Sequence, residues 1–327
     1  MRPILWLSFL AALSLAGGCA APSTSGREPA IQTTSEDEAR RPLLLQRHAL
    51  PDTPGTGPFH AIKLEEDGLA NHVVYRPADL ARLGSVRMPL YIFGNGACSD
   101  DGASARLHLL EIASHGYLAI ASGRIRSGPG VSSPARISDT QNRTSAEQLG
   151  EAIAWAVREN ARPGSPYFGR LDTSKIAVSG HSCGGLQALQ LAGDPRVSTF
   201  VIMNSGIYND GGPGRSNIRL DKSQLERLRV PILYVLGGPG DIAFPNGMDD
   251  FARIRHVPVA VANADVEHGG TFWEPNGGKA AQLVVAWLQW QLRGDAAAAR
   301  WFEGSDCRLC ADSFWNYDRR NIAGAGG

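Results

Sequence analysis

The run Gly180-His181-Ser182-Cys183-Gly184 follows the apolar residues Ile176-Ala177-Val178 and precedes Gly185-Leu186-Gln187-Ala188-Leu189. This order reads as a strand, a glycine-flanked serine and a helix, the G-x-S-x-G elbow. Such a turn lifts Ser182 off the strand end. Gly180 and Gly184 leave room for the turn and for the helix behind it, whose N-terminal N–H groups point at the serine's surroundings. A serine hydroxyl is a weak nucleophile at neutral pH. It needs an exposed position, a base and donors for the developing negative charge. The elbow supplies the first and part of the third. The same motif also occurs as an ordinary glycine-rich turn, and here its placement between a β-rich run and a helix favours the catalytic reading.

The surrounding pattern is an alternation. An opening hairpin is expected at 59–64 and 71–75 around Glu66-Asp67-Gly68, then strands at 90–93, 117–121, 175–178, 197–203, 232–236 and 257–262. Helices are expected between them, among them one led by a capping box of Ser145 with Gln148, one at 223–228, and a closing one carrying Leu283, Val284, Trp287 and Leu288 that stops at Gly294. Strands alternating with helices predict an α/β fold with a mostly parallel central sheet, helices on both faces and functional groups at the strand C-termini. The segment between Met203 and Ile232 is too short and Gly-rich for a large cap domain, so an open site suited to bulky or polymeric substrates is expected.

An activated serine needs a base and a group that orients the base. Asp241, in the loop after the strand 232–236, is the expected acid, with Asp249 and Asp250 as rivals that read as a solvated helix start. His268, in the loop after the last expected strand, is the expected base. Of the other histidines, His181 reads as a support for the elbow, and His48, His60, His72, His108, His115 and His256 read as surface or core residues. The oxyanion donors are expected from the N–H of Cys183 and from Ala97 or Cys98 in the loop Gly94-Asn95-Gly96-Ala97-Cys98. Phe272 and Trp273, just after His268, are candidates to line the substrate pocket, with rim packing as the other reading.

With Ser114-His115-Gly116-Tyr117, the elbow, Asp241 and His268 in place, residues 85 to 295 resemble the bacterial cutinase/polyester-hydrolase and dienelactone-hydrolase-like branch of the α/β-hydrolases. The resemblance implies an α/β-hydrolase fold and carboxylic-ester hydrolysis through an acyl-enzyme on a Ser182-Asp241-His268 triad, without cofactor or metal. Two positions depart from the branch: Met203-Asn204-Ser205-Gly206 holds no tryptophan after its strand, and Cys98 stands where an aromatic residue is usual. An acyltransferase with the same triad, or a catalytically silent tethered binding module, are the other readings.

The N-terminus has its own organisation. Arg2 and the apolar run from Ile4 to Ala16 read as an export signal, and Ala16-Gly17-Gly18-Cys19 resembles a bacterial lipobox with Leu15 one position early. Residues 1–19 are therefore expected to be a lipoprotein-type signal with lipidation at Cys19, plain secretion being the other reading. A flexible linker is expected at 20–42 and one domain with a cysteine-containing tail at 43–327. Membrane contact is expected only through the lipid anchor. The 327 residues carry a formal net charge of zero, which gives no reason to expect a nucleic-acid partner. Export also suggests disulfides among the remaining cysteines. Cys98 and Cys183 fall in the two oxyanion segments, which the mechanism brings side by side; a Cys98–Cys183 disulfide is expected, with two buried thiols as the rival. Cys307 and Cys310 would then pair with each other, zinc being the competing use of that spacing.

Overall fold

The structure, a computed structural model, describes residues 28–212 and 218–323. The export signal and Cys19 lie outside the described residues. No helix among the described residues is long and apolar enough to cross a membrane.

Nine strands form one sheet: β1 (Ala61–Leu64), β2 (His72–Pro77), β3 (Met88–Gly94), β4 (Leu118–Ser122), β5 (Leu171–His181), β6 (Thr199–Met203), β7 (Ile232–Leu236), β8 (Val259–Asn263) and β9 (Asn316–Arg320). Their order across the sheet is β1-β2-β4-β3-β5-β6-β7-β8-β9. The six strands from β4 to β8 are parallel, and β1, β2 and β9 run antiparallel to their neighbours at the two edges. The fold class is thus α/β with a mostly parallel sheet, and the expected opening hairpin is β1–β2.

The helices are α1 (Glu28–Ala49), α2 (Arg106–Ser114), the single turn α3 (Ile137–Thr140), α4 (Ala146–Ala161), α5 (Cys183–Gln190), α6 (Phe244–Arg253), α7 (Gly278–Arg293) and the short α8 (Ala296–Ala299) and α9 (Arg308–Ala311). Alternate strand residues face opposite sides, so the central strands are apolar throughout. Tyr91 and Phe93 of β3 pack with Leu109 of α2 and with Leu283 and Trp287 of α7. Leu90 and Ile92 of the same strand pack with Leu149 and Ile153 of α4, Leu186 of α5 and Phe251 of α6. The capping box of Ser145 and Gln148 opens α4 as expected, and Gly294 in the left-handed conformation closes α7.

The elements differ from the expected ones in three places. The helix expected at 223–228 is a 3₁₀ stretch, Lys222–Arg227. The tail adds β9, a polar strand that pairs with β8 along its full length. The linker expected at 20–42 overlaps α1, which runs from Glu28 through Pro42 to Ala49. Its Glu, Gln, Ala, Arg and Leu content favours helix, while the charged sequence hides a stripe in its second half: Arg40, Leu43, Leu44, Arg47 and His48 recur at helical spacing and all border the same cleft. Asp37 fixes α1 to the molecule by accepting from the Ser138 N–H at 3.2 Å and from the Ser138 hydroxyl.

Candidate active site

β5 delivers Ser182 to its C-terminal end, and α5 starts at the next residue. Ser182 has φ 52°, a left-handed conformation that a residue with a side chain adopts only when its surroundings enforce it. The enforcement is visible: the Ser182 N–H donates to the Met203 carbonyl at 3.0 Å, and the Ser182 carbonyl accepts from the Gly185 N–H at 2.9 Å and the Ser205 hydroxyl at 2.7 Å. A Cβ at Gly184 would collide with the Gly94 carbonyl, and one at Gly180 with the Gly184 carbonyl. The two glycines thus let the elbow close against β3.

His268 and Asp241 meet Ser182. His268 Nε2 lies 2.9 Å from Ser182 Oγ, and His268 Nδ1 lies 2.6 Å from Asp241 Oδ1. Asp241 is fully buried in the loop after β7. Burial acts to raise its pKa, but bonds from His268, the Ala243 N–H at 2.9 Å and Asn204 Nδ2 at 3.0 Å prevail and hold it below the usual carboxylate value. It therefore stays ionised beside the imidazole. The rivals do not reach His268. Asp249 and Asp250 lie within α6, where both pair with Lys222; Asp249 also pairs with Arg253, and Asp250 accepts from Tyr234 and the Ile207 N–H.

Two neighbours complete this arrangement. The His181 ring, through Nε2, bonds the His268 backbone carbonyl at 2.9 Å and packs on Phe272 with ring centroids 4.7 Å apart. Burial first, then the adjacent His268, lowers the His181 pKa to about 4, so the ring is neutral near pH 7 and donates from Nε2. Asn204, which the sequence reading missed, bridges Asp241 Oδ2 and the Glu267 carbonyl, both at 3.0 Å, and so ties the acid's loop to the base's loop. Ser205, also missed, holds the elbow. The available signal was their place: a polar pair directly after an apolar strand, at the end of the sheet where functional groups gather.

The oxyanion expectation is narrowed. The Cys98 N–H is engaged with the Asn95 carbonyl at 3.2 Å, and its side chain is buried. Ala97 and Cys183 border the cleft beside Ser182, whereas Cys98 does not. Cys98 is therefore corrected as a donor, because the left-handed turn at Ala97 and Cys98 (φ 56° and 46°) spends the Cys98 N–H internally and leaves Ala97 at the surface. Cys98 and Cys183 form a disulfide with their Cα atoms 5.2 Å apart, well inside the roughly 7 Å limit for such a bond. The disulfide therefore joins the Ala97 loop to the start of α5. Cys307 and Cys310 form a second disulfide, 5.0 Å between Cα atoms, which leaves no thiolate pair for zinc.

Ser182 opens into a cleft of about 400 Å³. Phe272 and Trp273 both line it, and Tyr208 and Ile242 border it as well. The expectation of an open site is corrected on one side. No cap is inserted among the described residues between β6 and β7, but α1 forms a wall through Leu43, Leu44 and Arg47. The Arg47 guanidinium carbon lies 3.1 Å above the centre of the Trp273 ring, and Trp273 Nε1 donates to the Ser104 carbonyl at 3.2 Å. Burial, and after it the Arg40 charge, lowers the Arg47 pKa to about 10.

A serine hydroxyl against an imidazole, itself oriented by an ionised carboxylate, can add to a carbonyl and hand its proton to the imidazole. No protein-family model matches this chain, and no curated protein matches it.

Proposed function

We propose that this chain is an α/β-hydrolase that cleaves carboxylic esters through an acyl-enzyme on Ser182. The observation that carries the reading is the continuous series Asp241–His268–Ser182, with bonds of 2.6 and 2.9 Å, at the C-terminal ends of β7, β8 and β5. Its chain order, Ser then Asp then His, is that of the α/β-hydrolase fold. The strand order and the elbow support the same assignment.

In this reading Ser182 Oγ attacks the ester carbonyl carbon while His268 Nε2 takes the hydroxyl proton. The carbonyl oxygen becomes an oxyanion that accepts from the N–H groups of Ala97 and Cys183. The C–O bond to the alcohol then breaks, and the alcohol leaves with the proton held by His268. Water, activated by the same imidazole, releases the acid and restores Ser182. The two disulfides support the further reading that the protein works in an oxidising compartment after export.

The test is a series of 4-nitrophenyl esters of graded acyl length, assayed with the wild type and with Ser182→Ala. Release of nitrophenol that disappears in the variant supports the proposal and gives the acyl size. Release that survives Ser182→Ala, or no release across the series, removes it.

A further inference from the structure

We infer that Arg47 is the recognition group for a carboxylate on the ester substrate, so that the cleft selects anionic esters. The inference rests on the esterase reading above and names its substrate class.

Three observations carry it. Arg47 is half-buried in the wall of the same cleft that holds Ser182, on the stretch of α1 that faces the site. Its guanidinium carbon lies 3.1 Å from the centre of the Trp273 ring, and Nη2 reaches within 3.7 Å of where a Cβ on Gly269 would stand, next to His268. Among the described residues no carboxylate is paired with it. The acids placed beside it are engaged elsewhere: Asp52 with Arg106, which also bonds the Arg47 carbonyl, and with Lys63, and Asp101, which lines the cleft, with the N–H groups of Ala103 and Arg126.

A guanidinium taken from water without a counter-ion is costly, and the charged group acting on it here is the like-charged Arg40, which also borders the cleft. The contact with the Trp273 ring supplies no counter-charge, and the planar fork of guanidinium N–H donors matches a carboxylate with two parallel bonds. A bound anionic ester would supply the missing counter-charge. The carboxylate can belong to the acyl or to the alcohol portion, and both are testable.

The experiment measures kcat/KM for the wild type, Arg47→Gln and Arg47→Lys on two matched pairs. Mono-4-nitrophenyl adipate against 4-nitrophenyl hexanoate places the charge on the acyl side. 4-Acetoxybenzoate against 4-acetoxybenzamide places it on the alcohol side. The wild type is expected to prefer the anionic member of one pair. Arg47→Gln is expected to lose about 10- to 100-fold on that member and under about threefold on its neutral partner, as for a charge-assisted bond removed. Arg47→Lys should recover part of the loss. Equal losses on both members would reduce Arg47 to an anchor for α1 and overturn the inference, as would the absence of preference in both pairs. If no ester is turned over in a Ser182-dependent way, the esterase reading is what fails. Calorimetric titration of Ser182→Ala with adipate and 4-hydroxybenzoate then decides separately: binding that Arg47→Gln abolishes keeps the anion site, and no binding removes it.

Discussion

His181, the residue before Ser182, bonds through its ring to the backbone carbonyl of His268 at 2.9 Å. The elbow therefore holds the base as well as the serine. His181→Phe preserves a ring against Phe272 and removes the bond. We expect kcat to fall about tenfold, the effect of losing one buried hydrogen bond that fixes a reacting group, with KM and melting temperature nearly unchanged. A variant with wild-type kcat would show that the bond has no part in positioning His268.

Ser182→Ala and His268→Ala should each lose about 10⁴- to 10⁶-fold in kcat, because residues that act as a unit fail as a unit. Asp241→Asn should lose about 10⁴-fold through the wrong imidazole tautomer. Asp241 also predicts a pH effect on stability. Its carboxyl is held below the usual carboxylate value, so it contributes stability above that value and gives it up as pH falls through its lower folded value. The stability advantage of the wild type over Asp241→Asn should thus shrink on acidification below about pH 4, as read by urea unfolding at a series of pH values.

The disulfide between Cys98 and Cys183 closes a separation of 85 residues, nominally a stabilisation of about 4.5 kcal/mol before native strain is subtracted. Reduction, or replacement of both cysteines by alanine, should lower the melting temperature and reduce kcat more than it raises KM, since the Ala97 loop is no longer fixed to α5. Replacing Cys307 and Cys310, only 3 residues apart and away from the cleft, should leave kcat unchanged. The finding against this account would be full activity in reduced enzyme whose Cys98 and Cys183 thiols are shown to be alkylated.

Asp250 behaves oppositely to Asp241. Burial raises it to about 6, against the attraction of Lys222 at 2.6 Å. A carboxyl raised in the fold adds stability at acid pH and loses it as pH climbs from about 4 to about 6. Lys222→Met strands the buried charge and should cost about 3 kcal/mol at pH 8, with a smaller cost at pH 5, where Asp250 is protonated. Equal costs at both pH values in denaturant unfolding would show that Lys222 acts through packing alone.

Most of the candidate site was legible because each member lies a few residues past a strand end. Ser182, Asp241, His268 and Ala97 sit in loops that the alternation of strands and helices locates, and the sheet then brings those loops together. Asn204 and Ser205 carried the same positional signal without a motif to flag it. The role of α1 was not legible. Its charged sequence carries no long apolar stripe, and its partners, Ser138 and Trp273, are remote in the chain. β9 was hidden for a related reason: an edge strand with one exposed face needs few apolar residues, and Asn316-Tyr317-Asp318-Arg319-Arg320 offers almost none.

The wall made by α1 is a long-range contact. α1 is the first described element of the chain, yet the surface it docks against includes Trp273, which follows β8. Its contacts reach far along the chain, and such contacts form only after intervening loops have closed. One side of the cleft therefore depends on a contact between residues 47 and 273, and the entropy of closing so long a loop is part of what completing the site requires.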